Sequence, residues 1–177
     1  PGIVGQDGWL FYRHEFSDPS DNANVSKTID LLRRVNTLLA RNGTQLVVVM
    51  APLKIRIHSE FLPPSVALTD HLKNNYVRML QSLRNVGVAA VDLETAFIGS
   101  PKRNSPMPLY FKRDTHWSSA GALLAAESVR DMLQSDVRLQ PLTASLPKTR
   151  YQLTWSPKDW PVDGDLPPQL PKGSPPF

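Results

Sequence analysis

The alternation of apolar and polar positions predicts helices and buried strands in turn along the first 140 residues. Apolar residues recur at three- and four-residue steps over residues 26–42, which predicts an amphipathic helix. These positions are Ile29, Leu32, Val35 and Leu39. We expect Asn24 or Ser26 to cap this helix and Gly43 to follow its end. The valine-rich run over residues 45–50 predicts a strand that is covered on both faces, as in a parallel sheet.

The same patterns recur further along the chain. The further elements they predict are a strand over residues 9–12, a helix over 65–86 stopped by Gly87, a strand over 88–93, a short strand over 109–111 and a helix over 119–134 capped by Ser118. Helices that alternate with strands indicate an α/β protein with a mainly parallel sheet flanked by helices.

A change in texture after residue 140 divides the chain. Its length of 177 residues favours one domain, yet nine of the 17 prolines lie between Pro141 and Pro176. We therefore expect an α/β domain over residues 1–140 and a proline-rich extension over residues 141–177. Within that extension only residues 151–155 alternate like a short strand.

Composition excludes several classes of protein. The net charge is +4, but lysines and arginines are scattered, which argues against a nucleic-acid partner. The absence of cysteine excludes disulfides and thiolate metal sites. No apolar run approaches the ~20 residues of a membrane span. Because the sequence begins at Pro1 without a signal peptide, we expect a piece of a longer protein whose N-terminal part carries an export or anchor segment.

Asp114 and His116 form the most informative chemical pattern. Residues two apart in an extended segment point to the same side, with Cα atoms about 6.5 Å apart, so the carboxylate can reach the imidazole. Such a pair supplies the base of a nucleophile–His–Asp triad and the carboxylate that orients it. A structural hydrogen bond before a helix is the alternative. The other histidines are isolated, which argues against a metal site.

The remaining candidate residues are less specific. No G-x-S-x-G nucleophile motif occurs, and Ser118 is too close to His116 and better suited to cap the following helix. Lys54 and Arg56 follow the first buried strand, where they bind an anionic or sugar substrate or are simply solvated. Trp117 either walls the site as a substrate-binding residue or packs in the core.

Four segments carry a resemblance to a known family. They are Gly5-Gln6-Asp7-Gly8-Trp9-Leu10-Phe11-Tyr12, then Ala51-Pro52-Leu53-Lys54, then Asp114-Thr115-His116-Trp117-Ser118-Ser119-Ala120-Gly121, and then Gly164-Asp165-Leu166. In this order they resemble the SGNH-hydrolase-like polysaccharide O-acetyltransferases of the AlgJ and AlgX type. Asp-x-His-Trp followed by a small-residue helix start is the most specific motif, and Gly-Asp-Leu alone is weak.

The resemblance implies a function and a location. Members acetylate exopolysaccharides such as alginate in the bacterial periplasm, through a triad in which Asp114 and His116 match the first two residues. The serine nucleophile of that family lies in a downstream Gly-x-Ser segment, so we expect it beyond Phe177, in a part of the α/β fold that this chain does not include. The implied partners are the polysaccharide, a membrane-bound acyltransferase that supplies acetyl groups, and other export proteins. No metal or diffusible cofactor is implied.

Two other functions remain open from the sequence. A non-catalytic polysaccharide-binding or scaffold module would use Asp114 and His116 only structurally. A carbohydrate acetylesterase would share the fold and the triad and differ only in using water as the acetyl acceptor.

Overall fold

The fold is built from short strands and six helices among the residues that the computed structural model describes. These residues are 2–17, 22–144 and 164–174, with 147, 149, 152 and 154 singly between. The elements are β1 (Gly2–Val4), β2 (Leu10–Tyr12), α1 (Asn22–Ala40), β3 (Val47–Val49), α2 (Lys54–Ile57), α3 (Asp70–Asn85), β4 (Ala89–Val91), α4 (Leu93–Gly99), α5 (Ser119–Ser135) and α6 (Gln140–Ala144), with 3₁₀ turns at Arg13–Phe16, Ser59–Phe61 and Pro167–Gln169.

Two pairs of strands organise the described residues. β3 and β4 run parallel, with Val47 opposite Ala89 and Val49 opposite Val91, and α3 connects them. β1 and β2 form a separate antiparallel hairpin. The predicted α/β class is confirmed, and the parallel sheet has two strands within the part of the chain that is described.

Apolar side chains cover both faces of the β3–β4 sheet. Val47 and Val91 contact one cluster, built mainly from the β1–β2 hairpin, α2, α4 and α5. Val48 and Ala90 contact the other, built mainly from α1 and α3. Successive strand residues point to opposite faces, so each strand joins two apolar layers. The sheet therefore lies between two layers of helices.

The cover over β3 is less complete than the valine run predicts. All three residues of β4 are buried, but Val49 of β3 remains 42% exposed. The expectation of a strand covered on both faces is thus wrong for the end of β3. A continuous apolar run indicates that a strand tends to be buried, but it does not show which other elements will cover the strand.

The helix boundaries differ from the prediction at the N-terminal ends. α1 begins at Asn22, so Asn24 and Ser26 lie inside the helix and the predicted cap is wrong. Its end is as expected, because Gly43 takes a positive φ of 71° in the turn that closes the helix. α3 begins at Asp70 rather than near residue 65, since the Thr69 hydroxyl caps it by accepting from the Leu72 N–H.

An additional helix interrupts the strand predicted over residues 88–93. β4 ends at Val91 because the Asp92 carboxylate caps α4, accepting from both the N–H and the hydroxyl of Thr95. The prediction of a strand through Leu93 is wrong at this point. The Asp-x-x-Thr spacing of Asp92 and Thr95 is the sequence pattern that predicts the start of this helix.

The glycine- and aromatic-rich opening belongs to the core. Trp9 and Phe11 are 1% and 0% exposed, so they serve packing and not a sugar-binding surface. Gly5 is required by space, because a Cβ there would lie 2.4 Å from the carbonyl oxygen of Phe61.

The C-terminal extension is only partly described. The strand predicted over residues 151–155 falls on positions outside the described residues, apart from residues 152 and 154. The boundary between residues 1–140 and 141–177 stays a prediction. Residues 164–174 return to the α/β part, and Leu166 is fully buried there. Among the described helices, none combines the length and apolarity that crossing a bilayer requires.

Candidate active site

A hairpin-like loop between β-bridge partners presents the Asp-x-His motif. Tyr110 and Trp117 form an isolated antiparallel bridge, and the Phe111 N–H donates to the carbonyl of His116 at 3.2 Å. The prediction of a short strand at residues 109–111 is therefore wrong, since this segment pairs with its own continuation and not with β3 or β4. The Tyr110 hydroxyl, which donates to the carbonyl of Pro52, anchors the loop beyond the end of β3.

The start of α5 holds the other end of this loop. The Ser118 hydroxyl donates to the carbonyl of Pro108 at 2.5 Å and accepts from the N–H groups of Ala120 and Gly121. Its predicted role as a cap is confirmed. A Cβ at Gly121 would lie 2.2 Å from the carbonyl oxygen of Leu109, so only glycine allows the helix to approach this closely.

The contact predicted between Asp114 and His116 is present. Asp114 Oδ1 lies 2.7 Å from Nδ1 of His116 and also accepts the His116 backbone N–H at 2.8 Å. The Asp114 side chain is 13% exposed, whereas that of His116 is 76% exposed. With Nδ1 bound to the carboxylate, Nε2 is the nitrogen left for a reacting hydroxyl.

The environment keeps Asp114 ionised. Burial alone raises the pKa of this carboxyl, but hydrogen bonds from the backbone and ring of His116 and from the backbone of Asp165 lower the pKa by more. The net shift is downward. A charged carboxylate at this position can orient the imidazole and stabilise its protonated form.

A distant segment, Gly164–Leu166, closes over the loop. The Asp165 N–H donates to Asp114 Oδ2 at 3.1 Å, and the Leu166 N–H donates to the carbonyl of Arg113 at 3.2 Å. Gly164 has a φ of 80°, and a Cβ there would lie 2.0 Å from the same Arg113 oxygen. Gly-Asp-Leu alone is a weak motif in the sequence, because the contact that requires glycine at position 164 is made with the distant Arg113.

Lys54 lies beneath the loop and does not face solvent. Its ammonium donates to the carbonyls of Leu10, Lys112 and Asp114 at 2.7, 2.9 and 3.0 Å. The side chain is 1% exposed and all three of its N–H donors are used. The expectation that this ammonium binds a substrate is wrong. Instead, Lys54 joins β2 to the segment that carries Asp114.

Charges around Lys54 partly offset the cost of burying it. The pKa of the ammonium is lowered to about 8, because burial lowers it by more than the carboxylates of Glu15, Asp114 and Asp165 raise it. Glu15 also accepts the Ile55 N–H at 3.0 Å. The carboxylates of the site and the buried ammonium thus stabilise one another.

Arg56 and Trp117 occupy different surroundings from those of the Asp–His pair. Arg56 forms a partly buried ion pair with Glu94 at 3.1 Å and lines a cavity of about 170 Å³ beyond the end of β3. The Trp117 ring packs against Phe97, with ring centroids 6.1 Å apart, and keeps part of its surface exposed. Substrate binding by these two residues stays a prediction.

The carboxylates of the site are engaged in hydrogen bonds. Ligand atoms of Asp114, His116 and Asp165 lie within 4.8 Å of one another, a spacing that a metal ion can bridge. Each oxygen of Asp114 and Asp165 accepts a bond from His116, Thr115 or the Asp165 backbone. This pattern supports an oriented imidazole, and the expectation of no metal stays a prediction.

Within the part of the chain that the structure describes, no nucleophile contacts His116. Among residues 2–17, 22–144 and 164–174, hydrogen bonds of the ring run from Nδ1 to Asp114 and Thr115, and no serine hydroxyl bonds to it. The described residues therefore supply a base and its orienting carboxylate. The predicted nucleophile beyond Phe177 stays a prediction.

Comparison with known proteins decides the family. The family described as "SGNH hydrolase-like domain, acetyltransferase AlgX" matches residues 3–174. The chain belongs to this family. The resemblance stated from the four sequence segments is thereby confirmed, together with the SGNH-like fold.

Relatives with names from alginate biosynthesis match most of the chain. The probable alginate O-acetylase AlgJ of Pseudomonas aeruginosa is 34% identical over 142 residues, which make up 78% of this chain and 34% of AlgJ. The alginate biosynthesis protein AlgX of the same organism is 28% identical over 153 residues, or 85% of this chain and 30% of AlgX. The chain thus spans about a third of the length of these curated relatives.

A solved structure shares the fold of this AlgX-family chain. The O-acetyltransferase domain of Pseudomonas putida AlgJ superimposes with a TM-score of 0.77 at 25% identity, covering 96% of this chain and 58% of that one. The solved domain therefore contains a further part that this chain does not match.

Proposed function

We propose that the protein containing this chain transfers acetyl groups to hydroxyls of an exopolysaccharide, with alginate as the expected polymer. The observation that carries the proposal is the 2.7 Å contact between Asp114 and an exposed His116, in a chain of the AlgX acetyltransferase family. Relatives named as alginate O-acetylases support the polymer.

The Asp–His pair supplies the proton transfers of this reaction. A serine from outside the chain gives its hydroxyl proton to Nε2 of His116 while its oxygen attacks the acetyl carbonyl of the donor. The leaving group takes that proton, and acetyl-serine remains. A sugar hydroxyl then gives its proton to Nε2 and attacks the acetyl-serine, whose oxygen leaves and recovers the proton. Asp114 stabilises the imidazolium in both halves.

The proposal includes a setting for this reaction. We infer that the enzyme acts in the periplasm, where a membrane-bound acyltransferase delivers acetyl groups and other export proteins handle the polymer, and relatives named for alginate biosynthesis support this setting. Hydroxyl acylation through a triad uses no diffusible cofactor.

Replacement of His116 tests the proposal. In the whole protein, His116→Ala should lower acetyl release from a chromogenic ester by about 10³-fold or more, as removal of a triad base does. His14→Ala is the matched control, because His14 is an exposed histidine on another segment. Near-normal turnover of the His116 variant would exclude this residue as the base. Glycan binding without any ester turnover would favour a binding module.

The exposure of His116 favours one second candidate, a carbohydrate acetylesterase. A ring that is 76% exposed can activate water as readily as a sugar hydroxyl. The two functions are separated by measuring how acetyl groups partition between free acetate and an added oligosaccharide. A transferase acetylates the oligosaccharide in preference to water, and an esterase does the reverse.

A further inference from the structure

The carboxylate of Asp165 is bound to the residue between Asp114 and His116. Its Oδ1 accepts the Thr115 N–H at 2.8 Å, and its Oδ2 accepts the Thr115 hydroxyl at 2.5 Å. The same Oδ2 lies 4.0 Å from Nδ1 of His116. A second carboxylate, separated by about fifty residues in sequence, therefore belongs to the surroundings of the imidazole.

These bonds set the direction of the Thr115 hydroxyl. Thr115 Oγ1 lies 3.4 Å from Nδ1 of His116, while its proton is donated to Asp165. A hydroxyl has one proton, so the oxygen presents only lone pairs to the ring. Asp114 Oδ1 is also an acceptor. Both neighbours of Nδ1 thus require a proton on that nitrogen, which leaves Nε2 unprotonated in the neutral ring.

We propose that Asp165 is a positioning residue, which acts through Thr115 to hold His116 in the tautomer with the proton on Nδ1. The Asp165 backbone N–H, bound to Asp114 Oδ2, also holds the Asp114 carboxylate in this arrangement. The inference rests on the proposed function for its catalytic consequence, because a base at Nε2 is useful only if a hydroxyl reacts there. The tautomer itself is a property of the site that can be measured without turnover.

Asp165 also carries a charge close to the ring. A carboxylate 4.0 Å from Nδ1 favours the imidazolium that forms in each half-reaction, and at a water-exposed site this attraction is worth about fivefold in rate. Loss of ring orientation costs more, since a displacement of about 1 Å reduces rates by about 10²-fold. We therefore expect the reaction rate to fall further when the bonds to Thr115 are removed than when only the charge of Asp165 is removed.

Three variants of the whole protein separate these contributions. Asp165→Asn keeps the shape and the backbone N–H but removes the charge and adds an amide donor beside Thr115. Asp165→Ala removes both bonds to Thr115, and Thr115→Val removes the hydroxyl. Asp70→Asn on α3 is the matched control, because its side chain is 93% exposed.

The first readout is the tautomer of His116, from ¹⁵N chemical shifts of histidine-labelled protein. The wild type should hold the proton on Nδ1, and Asp165→Ala and Thr115→Val should raise the share of the other tautomer. Thr115→Ser restores the hydroxyl and should restore the Nδ1–H signal. An unchanged tautomer in folded Asp165→Ala and Thr115→Val proteins would overturn the inference.

The second readout is ester turnover, which separates failure of the inference from failure of the proposed function. Asp165→Ala should lower kcat/KM by about 10²-fold, and the Asp165→Ala, Thr115→Val double variant should lose little more, because the two residues act in one chain of bonds. Turnover that depends on His116 but not on Asp165 would refute the inference alone. A tautomer that responds in a protein without ester turnover supports the inference and rejects the proposed function.

Discussion

Protonation of His58 should destabilise the fold in mildly acidic solution. This ring is fully buried and packs against the Trp9 ring at a centroid distance of 4.2 Å. Among the described residues, neither of its ring nitrogens has a hydrogen-bond partner. A charged imidazolium in such a place has nothing to offset its lost hydration, so the folded protein favours the neutral ring.

The expected magnitude follows from the pKa of His58. Burial lowers this pKa from 6.5 to about 4, with nearby Arg103 and Lys54 adding to the effect and Glu60 opposing it. Between pH 6.5 and pH 4 the unfolded chain binds a proton that the folded chain does not, so stability falls as the pH falls through that window. At pH 4.5 the free energy of unfolding should be lower than at pH 7.5 by about 2 to 3 kcal/mol from this residue alone.

Urea unfolding followed by tryptophan fluorescence measures this loss, and Trp9 reports directly on the site. His58→Phe preserves the ring contact with Trp9 and cannot be protonated, so its loss of stability between pH 7.5 and pH 4.5 should be smaller by about 2 to 3 kcal/mol. His58→Gln keeps a polar group that also does not titrate, and it should show the same reduced pH dependence despite a different absolute stability. Equal losses in the wild type and both variants would show that His58 is not responsible.

Two further substitutions test how the loop of the Asp-x-His motif is held. Gly121→Ala should destabilise the protein by about 2 kcal/mol in thermal or urea unfolding, because its methyl group would lie 2.2 Å from the Leu109 carbonyl oxygen. Gly99→Ala, with open space around the new methyl, is its control, and equal effects would contradict the steric argument. Lys54→Met should cost about 3 kcal/mol, because it removes the buried ammonium that donates to the carbonyls of Leu10, Lys112 and Asp114. Lys73→Met is its control, because Lys73 is 53% exposed, and its free energy of unfolding should stay within about 0.5 kcal/mol of the wild type. A similarly small change for Lys54→Met would show that Lys54 does not join β2 to the segment that carries Asp114.

Short spacings in the sequence were enough to predict the central contact of the site. The i, i+2 relation of Asp114 and His116 predicted a carboxylate–imidazole bond on the assumption of extended backbone. The bond is present, although residues 114–116 form a bend in which Asp114 also accepts the His116 N–H. Ser118 was predicted to cap α5 for a similarly local reason, since a hydroxyl before a helix satisfies its free N–H groups. Both contacts depend on backbone geometry over a few residues, and both are present.

Long-range packing determines the surroundings of the residues whose roles the sequence pattern did not predict. Lys54 was expected at the surface, because a lysine after a strand is usually solvated, yet the fold surrounds it with carbonyls from β2 and the Asp114 loop. Nothing within the three-residue Gly-Asp-Leu motif indicates that Asp165 contacts Thr115, about fifty positions earlier. The pattern that caps α4 overlaps the end of a buried strand, so the apolar run there predicts a longer strand instead of a helix.

Periodicity and short spacings account for the local elements: the α/β alternation, the capped start of α5 and the Asp114–His116 pair each depend on a few neighbouring residues. Which groups surround that pair depends on the packing of distant segments. The return of residues 164–174 brings Asp165 onto the loop, and closure of the β1–β2 hairpin places Leu10 above the Lys54 ammonium. Such contacts depend on how distant segments are packed against one another, and a pattern read along the chain carries no measure of that distance in space.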